Sequence, residues 1–206
     1  GAPLPAPASA PAKPEGGTSP VAIVDRDGNA VSFTNTIETV FGARRMVGGF
    51  LLNNELTDFA AEPKVNDRPV ANRVQPGKRP RSSMSPLIVT DRDGRFVLAI
   101  GSAGGSRIIG DVLQPSWAAL PRTQPLQDAI AARRVLNRGG ATEVEGRAND
   151  ELARQLAEAL KALGHNTDVS PHQGGLHGIR ARRAADGSVT YEGGADPRRD
   201  GVARGD

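Results

Sequence analysis

Twice in this chain the run Asp-Arg-Asp-Gly breaks a stretch of β-branched and apolar residues. "VAIVDRDGNAVSFTNT" turns at Asp25-Arg26-Asp27-Gly28, and "PLIVTDRDGRFVLAIG" turns at Asp91-Arg92-Asp93-Gly94. Asp-Gly between two β-rich runs is a strong hairpin signal, because glycine supplies the positive φ that the tight turn demands. A weaker third copy, "GIRARRAADGSVTYEGG", turns at Asp186-Gly187. Three antiparallel hairpins follow, with strands near 20–25, 29–36, 86–91, 95–101, 177–183 and 188–193.

Helices are predicted between the second and third hairpins. The run from Gly105 to about Leu120 follows a glycine-rich turn, and Pro115 is expected to kink or split it. A second helix is predicted over Pro125 to Leu136, with its proline in the first turn. The clearest is "NDELARQLAEALKALG". Asn149 can cap it, Asp150 and Glu151 suit the positive end of its dipole, and Gly164 stops it. Leu152, Leu156, Ala159, Leu160 and Leu163 are assigned to its apolar face. Strands, then helices, then strands predict a layered α+β fold with antiparallel sheet. Residues 1–17, rich in Ala and Pro, read as a polyproline-like or disordered linker, leaving 18–206 as the folded domain.

Composition narrows the function. Hydrophobic residues are 37% and aromatics 3% of the 206, so the core is lean for the length and a partner surface is expected to complete it. Net charge is +3, and the basic residues are scattered without aromatic platforms, which argues against nucleic-acid binding. There is no cysteine, which excludes thiolate and disulfide chemistry. No apolar run approaches the length of a membrane span. The first residue is Gly rather than Met, which reads as a fragment or processed product with any export signal upstream.

Without cysteine, the nucleophile must be Ser, Thr or a carboxylate. His165, His172 and His177 have few other metal ligands near them and no paired spacing, so they read as surface or loop histidines, and neither metal nor cofactor is expected. A Ser-His-Asp triad stays open, although no Gly-x-Ser-x-Gly elbow is present. Gly16-Gly17-Thr18 by itself reads as the end of the linker. A threonine at a chain's own N-terminus, however, carries its base with it, because the free α-amine can take the hydroxyl proton. In "GSAGGSRIIGDVL", Gly104-Gly105-Ser106 sit where a strand gives way to a helix, and free N–H groups there suit a developing oxyanion or another anion. The phosphate-loop signature is absent. "KRPRSSMSP" places the hydroxyls of Ser82 and Ser83 before a strand, and "GGFLLNNELTDF" closes an apolar run with two amides and two carboxylates.

Taken in order, "GTSPVAIVDRDGNAVSFTNT", "GGFLLNNELTDF", "PGKRPRSSMSP", "GSAGGSRII" and the tail "GGADPRRDGVARGD" resemble the small, catalytic subunit of the γ-glutamyltranspeptidases across nearly all of residues 17–206. The resemblance implies an N-terminal-nucleophile hydrolase with a four-layer αββα sandwich, about half of it supplied by this chain. It implies a precursor that cuts itself between Gly17 and Thr18. Thr18 is then the nucleophile attacking γ-glutamyl amides such as glutathione, and the acyl group passes to water, an amino acid or a peptide. The large subunit of the same precursor is the implied partner, and the implied location is periplasmic or secreted. By the same resemblance Thr36 positions the nucleophile, Glu55 and Asp58 hold the substrate's α-ammonium group, Ser82 and Ser83 bond its α-carboxylate, and Gly104 and Gly105 form the oxyanion hole.

Four positions depart from the family pattern. Glu38 stands where many members have an asparagine that helps hold the glutamyl group, so it joins the substrate-binding candidates and points to altered acyl preference. Pro20 replaces a common histidine, Ala103 a usual proline, and Pro115 interrupts a helix. Two alternatives remain at this stage: an acylase of the same family acting on other acyl amides, of the cephalosporin type, and a degenerate, non-cleaving subunit that serves as a scaffold.

Overall fold

The computed structural model describes residues 16–121, 124–147 and 149–205; of the linker expected over 1–17, all but Gly16 and Gly17 lies outside them. The chain opens with a hairpin of β1 (Thr18–Val24) and β2 (Ala30–Thr36) around the first Asp-Gly turn. In that turn Asp25 accepts from the N–H groups of Asp27 and Asn29, and Gly28 takes φ 85°. Two short ladders follow, β3 (Met46–Val47) with β4 (Phe50–Leu51) and β5 (Lys64–Val65) with β6 (Arg68–Pro69). The second hairpin joins β7 (Leu87–Thr90) to β8 (Phe96–Ala103). Then come α1 (Ile108–Ala119), α2 (Leu126–Ala131), β9 (Val135–Asn137), β10 (Thr142–Glu145), α3 (Glu151–Ala162) and β11 (Thr167–Ser170). The third hairpin is β12 (Gly175–Arg183) with β13 (Val189–Ala195).

These elements stack in three layers. The central sheet runs β13-β12-β8-β7, and every residue of β8 is buried. Against one face lie α1 and α2, with Leu98, Ile100, Ile108, Val112, Leu126, Ile130 and Leu176 between them. Against the other lies the β1–β2 hairpin, whose Ala22, Val24 and Ala30 pack on Phe96, Ala99 and Ala181. The Ser32 hydroxyl donates to the Ile100 carbonyl at 3.0 Å and fixes the hairpin's position on the central strand. The result is an α-β-β stack, three of the four layers expected, with one face of the hairpin uncovered.

Several expectations need correction. Pro115 neither splits nor ends α1, which runs unbroken from Ile108 to Ala119. Its ring is fully buried. Burying an apolar side chain is worth about 1.5–3 kcal/mol, the same order as the ~3 kcal/mol cost of an interior proline. The helix predicted over Pro125–Leu136 is only Leu126–Ala131, and Val135 and Leu136 belong to β9. Asp150, not Asn149, caps α3 by accepting from the Ala153 N–H at 3.0 Å. The buried face of α3 is Ala153, Leu156, Ala157 and Leu160, whereas Leu152 and Leu163 are exposed. Gly164 does stop that helix, at φ 91°, while its N–H donates to the Lys161 carbonyl and that of His165 donates to the Leu160 carbonyl. A separate sheet ordered β11-β10-β9 was not expected; β10 and β11 run parallel with α3 as their connection. Finally, His172 is a loop histidine just before β12, though its side chain is only 5% exposed, whereas His177 lies within the central sheet on β12 and is neither a surface nor a loop histidine.

Among the described residues no helix is long and apolar enough to cross a membrane.

Candidate active site

The β1–β2 ladder decides which way Thr18 points. Its backbone bonds run from the Asp25 N–H to the Asn29 carbonyl at one end and from the Ile37 N–H to the Gly17 carbonyl, 2.9 Å, at the other. Residues between these ends alternate, so Thr18–Thr36, Pro20–Thr34 and Ala22–Ser32 are the non-hydrogen-bonded pairs. Side chains of such pairs come closest together. The Thr18 and Thr36 hydroxyls accordingly meet at 2.8 Å, on the hairpin face turned toward the central sheet. The same parity explains Pro20: its missing N–H falls at a position that makes no ladder bond.

Thr36 also accepts the Glu38 N–H, at 2.9 Å. With that lone pair engaged, its own proton is available to Thr18 Oγ1. Glu38 holds φ 71°, a left-handed conformation that costs a non-glycine residue on the order of 1–2 kcal/mol. The strain persists because the surroundings fix Glu38: the Asn54 amide donates to its carboxylate at 3.0 Å, and Thr39 donates to Asn54 through both its N–H and its hydroxyl.

Gly17 is fitted as closely. A Cβ there would lie 2.4 Å from the Thr39 carbonyl oxygen and 2.8 Å from that of Glu38. The peptide joining Gly17 to Thr18 thus has its carbonyl bonded to Ile37 and no space beside its α-carbon.

Glu55 and Asp58 occupy a 3-10 turn, Glu55–Asp58, directly after Asn54. Burial, then the charges of Asp58 and Glu38, push the Glu55 carboxyl above its ordinary range. Its Oε2 is buried without a hydrogen-bond partner among the described residues. A half-buried carboxyl flanked by two further carboxylates makes a place suited to a cation.

Gly104, at φ 134°, ends β8, and Gly105–Arg107 form a 3-10 turn leading into α1. Among the described residues no acceptor takes the N–H of Gly104 or Gly105. The tail ties this turn to Thr18. Arg199 donates to the Thr18 carbonyl and to the Gln173 carbonyl, both at 3.1 Å, and Gly174 packs over Gly104. Ser82 and Ser83 are not drawn into this network. They lie in the extended run before β7, where Ser82 Oγ accepts from the Met84 N–H at 3.2 Å.

Sequence reasoning thus brought Gly17, Thr18, Thr36 and Glu38 into one contact set and Glu55 and Asp58 into one turn. It missed Asn54, which sets Glu38, and Arg199. Both sit inside motifs that had been singled out. Nothing in either motif says which of several polar side chains turns inward.

The gamma-glutamyltranspeptidase family model matches residues 3–205. The chain belongs to the gamma-glutamyltranspeptidase family. It is 41% identical over 194 residues to a glutathione hydrolase proenzyme of Pseudomonas aeruginosa, covering 90% of this chain and 34% of that protein. It is 37% identical over 195 residues to the glutathione hydrolase proenzyme of Bacillus subtilis, covering 94% and 31%. The chain therefore spans about a third of the length of these curated relatives. Among solved structures, a mutant gamma-glutamyltranspeptidase of Helicobacter pylori superposes with a TM-score of 0.74 at 31% identity, covering 87% of this chain and 99% of that one. The α+β, N-terminal-nucleophile hydrolase fold of the gamma-glutamyltranspeptidases is thus the fold of this chain.

Proposed function

We propose that this chain is the catalytic small-subunit portion of a precursor that cuts itself between Gly17 and Thr18 and then hydrolyses or transfers γ-glutamyl groups from compounds such as glutathione. The observation that carries the reading is the Thr18–Thr36 hydroxyl pair at 2.8 Å beside a Gly17 carbonyl bonded to the Ile37 N–H. In the cut, the Thr18 hydroxyl adds to that carbonyl, and the Ile37 N–H offsets charge on its oxygen. Collapse of that adduct breaks the Gly17–Thr18 C–N bond, which frees the Thr18 α-amine and leaves Gly17 esterified to Thr18 Oγ1; water then cleaves the ester, releasing the Gly17 carboxylate and the Thr18 hydroxyl. The amine then serves as base for the same hydroxyl in each turnover. The N–H groups of Gly104 and Gly105 take the oxyanion of the tetrahedral intermediate; loss of one such donor typically costs about 10²–10³ in rate. Glu55 and Asp58 hold the donor's ammonium group, and Ser82 and Ser83 its carboxylate.

The remainder of the precursor supplies the large subunit, and a periplasmic or secreted location accompanies this reading. Glu38, held by Asn54 beside the nucleophile pair, favours a second reading as an acylase, since an added negative charge disfavours an α-carboxylate. A panel of glutathione against other acyl amides separates the two.

The deciding experiment is intact-mass and N-terminal analysis of the full-length precursor beside Thr18→Ala. A new chain that begins at Thr18, missing from the variant, is the expected result. An uncut wild-type chain would leave a scaffold.

A further inference from the structure

Asp111 is the one carboxylate in α1, and its side chain is completely buried. A buried carboxylate is retained against a large desolvation cost, so its surroundings show what it does. It lies under the Gly104–Gly105 turn. A Cβ on Gly104 would stand 3.3 Å from Asp111 Oδ2 and 3.4 Å from the Gly174 α-carbon. A Cβ on Gly174 would stand 2.7 Å from the same oxygen and 2.6 Å from His172 Nε2. Two glycines from different strand ends therefore close over one carboxylate: a side chain on Gly174 would clash with it, and one on Gly104, already disfavoured by φ 134°, would crowd it.

His172, 5% exposed, directs Nε2 at this carboxylate, 2.9 Å from Oδ1 and 3.1 Å from Oδ2. Arg134 Nε is 3.7 Å from Oδ1 and makes no hydrogen bond. The charged groups beyond are Asp196, 3.7 Å from Arg134, together with Arg198 and Glu145, which pair at 2.6 Å. Of all these groups, His172 is the hydrogen-bond donor to Asp111.

We propose that Asp111 and His172 are positioning residues for the Gly104–Gly105 turn: the carboxylate fills the space that fixes Gly104, and the imidazole fixes the carboxylate. The pair touches no reacting atom. Without the His172 N–H, Asp111 keeps the Arg134 guanidinium at 3.7 Å but loses its hydrogen-bond donor, and the turn loses its support. Either change raises the barrier to chemistry more than it weakens substrate binding. The inference rests on the oxyanion role given above to Gly104 and Gly105.

The test is steady-state kinetics and thermal unfolding of the full-length precursor, comparing His172→Gln, His172→Asn and Asp111→Leu, with Thr18→Ala alongside. Glutamine can place a donor where Nε2 lies; asparagine is too short. The expected result is a kcat lowered about tenfold to a hundredfold in His172→Asn and Asp111→Leu, a KM within about threefold, and His172→Gln close to wild type. A wild-type kcat in His172→Asn overturns the proposal. So does an equal loss in His172→Gln and His172→Asn, or a loss accounted for by the unfolded fraction. Turnover by Thr18→Ala would instead overturn the parent reading, and this inference with it.

Discussion

At the scale of single residues, the uncut junction depends on two atoms that are absent: the Cβ of Gly17 and the N–H of Pro20. The first leaves room for the carbonyls of Thr39 and Glu38, and the second is not missed by the ladder. Gly17→Ala is expected to displace the junction and slow self-cleavage by on the order of 10² or more, measured as the rate at which the smaller chain appears on a gel. Folding of the rest should be unchanged, because the clash lies outside every hydrophobic cluster. Thr36→Val removes the hydroxyl that meets Thr18 and receives Glu38; it should slow the cut about tenfold to a hundredfold, whereas Thr36→Ser restores it. A Thr36→Val precursor that matures at the wild-type rate would remove Thr36 from the site.

At the scale of elements, Arg180 clamps the layers together. It is fully buried on β12 and donates to the Ala119 carbonyl at the end of α1, to the Gln124 carbonyl before α2, and to Glu192 on β13. Burial works to raise the Glu192 carboxyl. The hydrogen bonds from Arg182, Arg180 and the Leu126 N–H outweigh it and hold the group down at about 2, from an ordinary 4.5. A depressed carboxylate contributes stability that is complete above its unfolded pKa and is lost as pH falls through the folded one. Acid unfolding followed by circular dichroism should therefore steepen between about 4.5 and about 2, and Glu192→Gln should flatten that limb. The α3 cap is a smaller term: Asp150→Ala should cost about 1 kcal/mol in a denaturant titration.

The same elements show what could be read in advance. The hairpins were legible because Asp-Gly states its backbone geometry locally, and the end of α3 because Gly164 does. The β11-β10-β9 sheet was not, since strands of three and four residues such as "TEVE" and "TDVS" carry too little pattern, and their pairing depends on α3 as the connection. Pro115 shows the converse: the split it could have caused does not occur, and the burial of its ring is a fact of three dimensions rather than of local sequence. In the site, the residue types were legible, while Asn54, Arg199 and the buried His172 were settled by packing.

At the scale of the whole molecule, the lean core predicted from composition is accompanied by exposed apolar side chains among the described residues, and two groups of them matter here. One is the outer side of the hairpin, Val21, Ile23, Val31 and Phe33; the other is the Ile109, Leu113 and Trp117 stripe of α1. Faces of this kind mark contact surfaces. Phe33→Ser should raise the soluble yield of the chain expressed alone and lower the denaturation midpoint of the full-length precursor, a reversal of sign that a merely exposed phenylalanine would not give. The hairpin has a further consequence. Along β1, odd-numbered residues form that outer face while even-numbered ones, Thr18 first, look inward. One ribbon carries an uncovered apolar face on its back and the hydroxyl proposed as nucleophile on its front. Whatever packs on the back of this ribbon therefore packs on the same strand that sets the Thr18 hydroxyl.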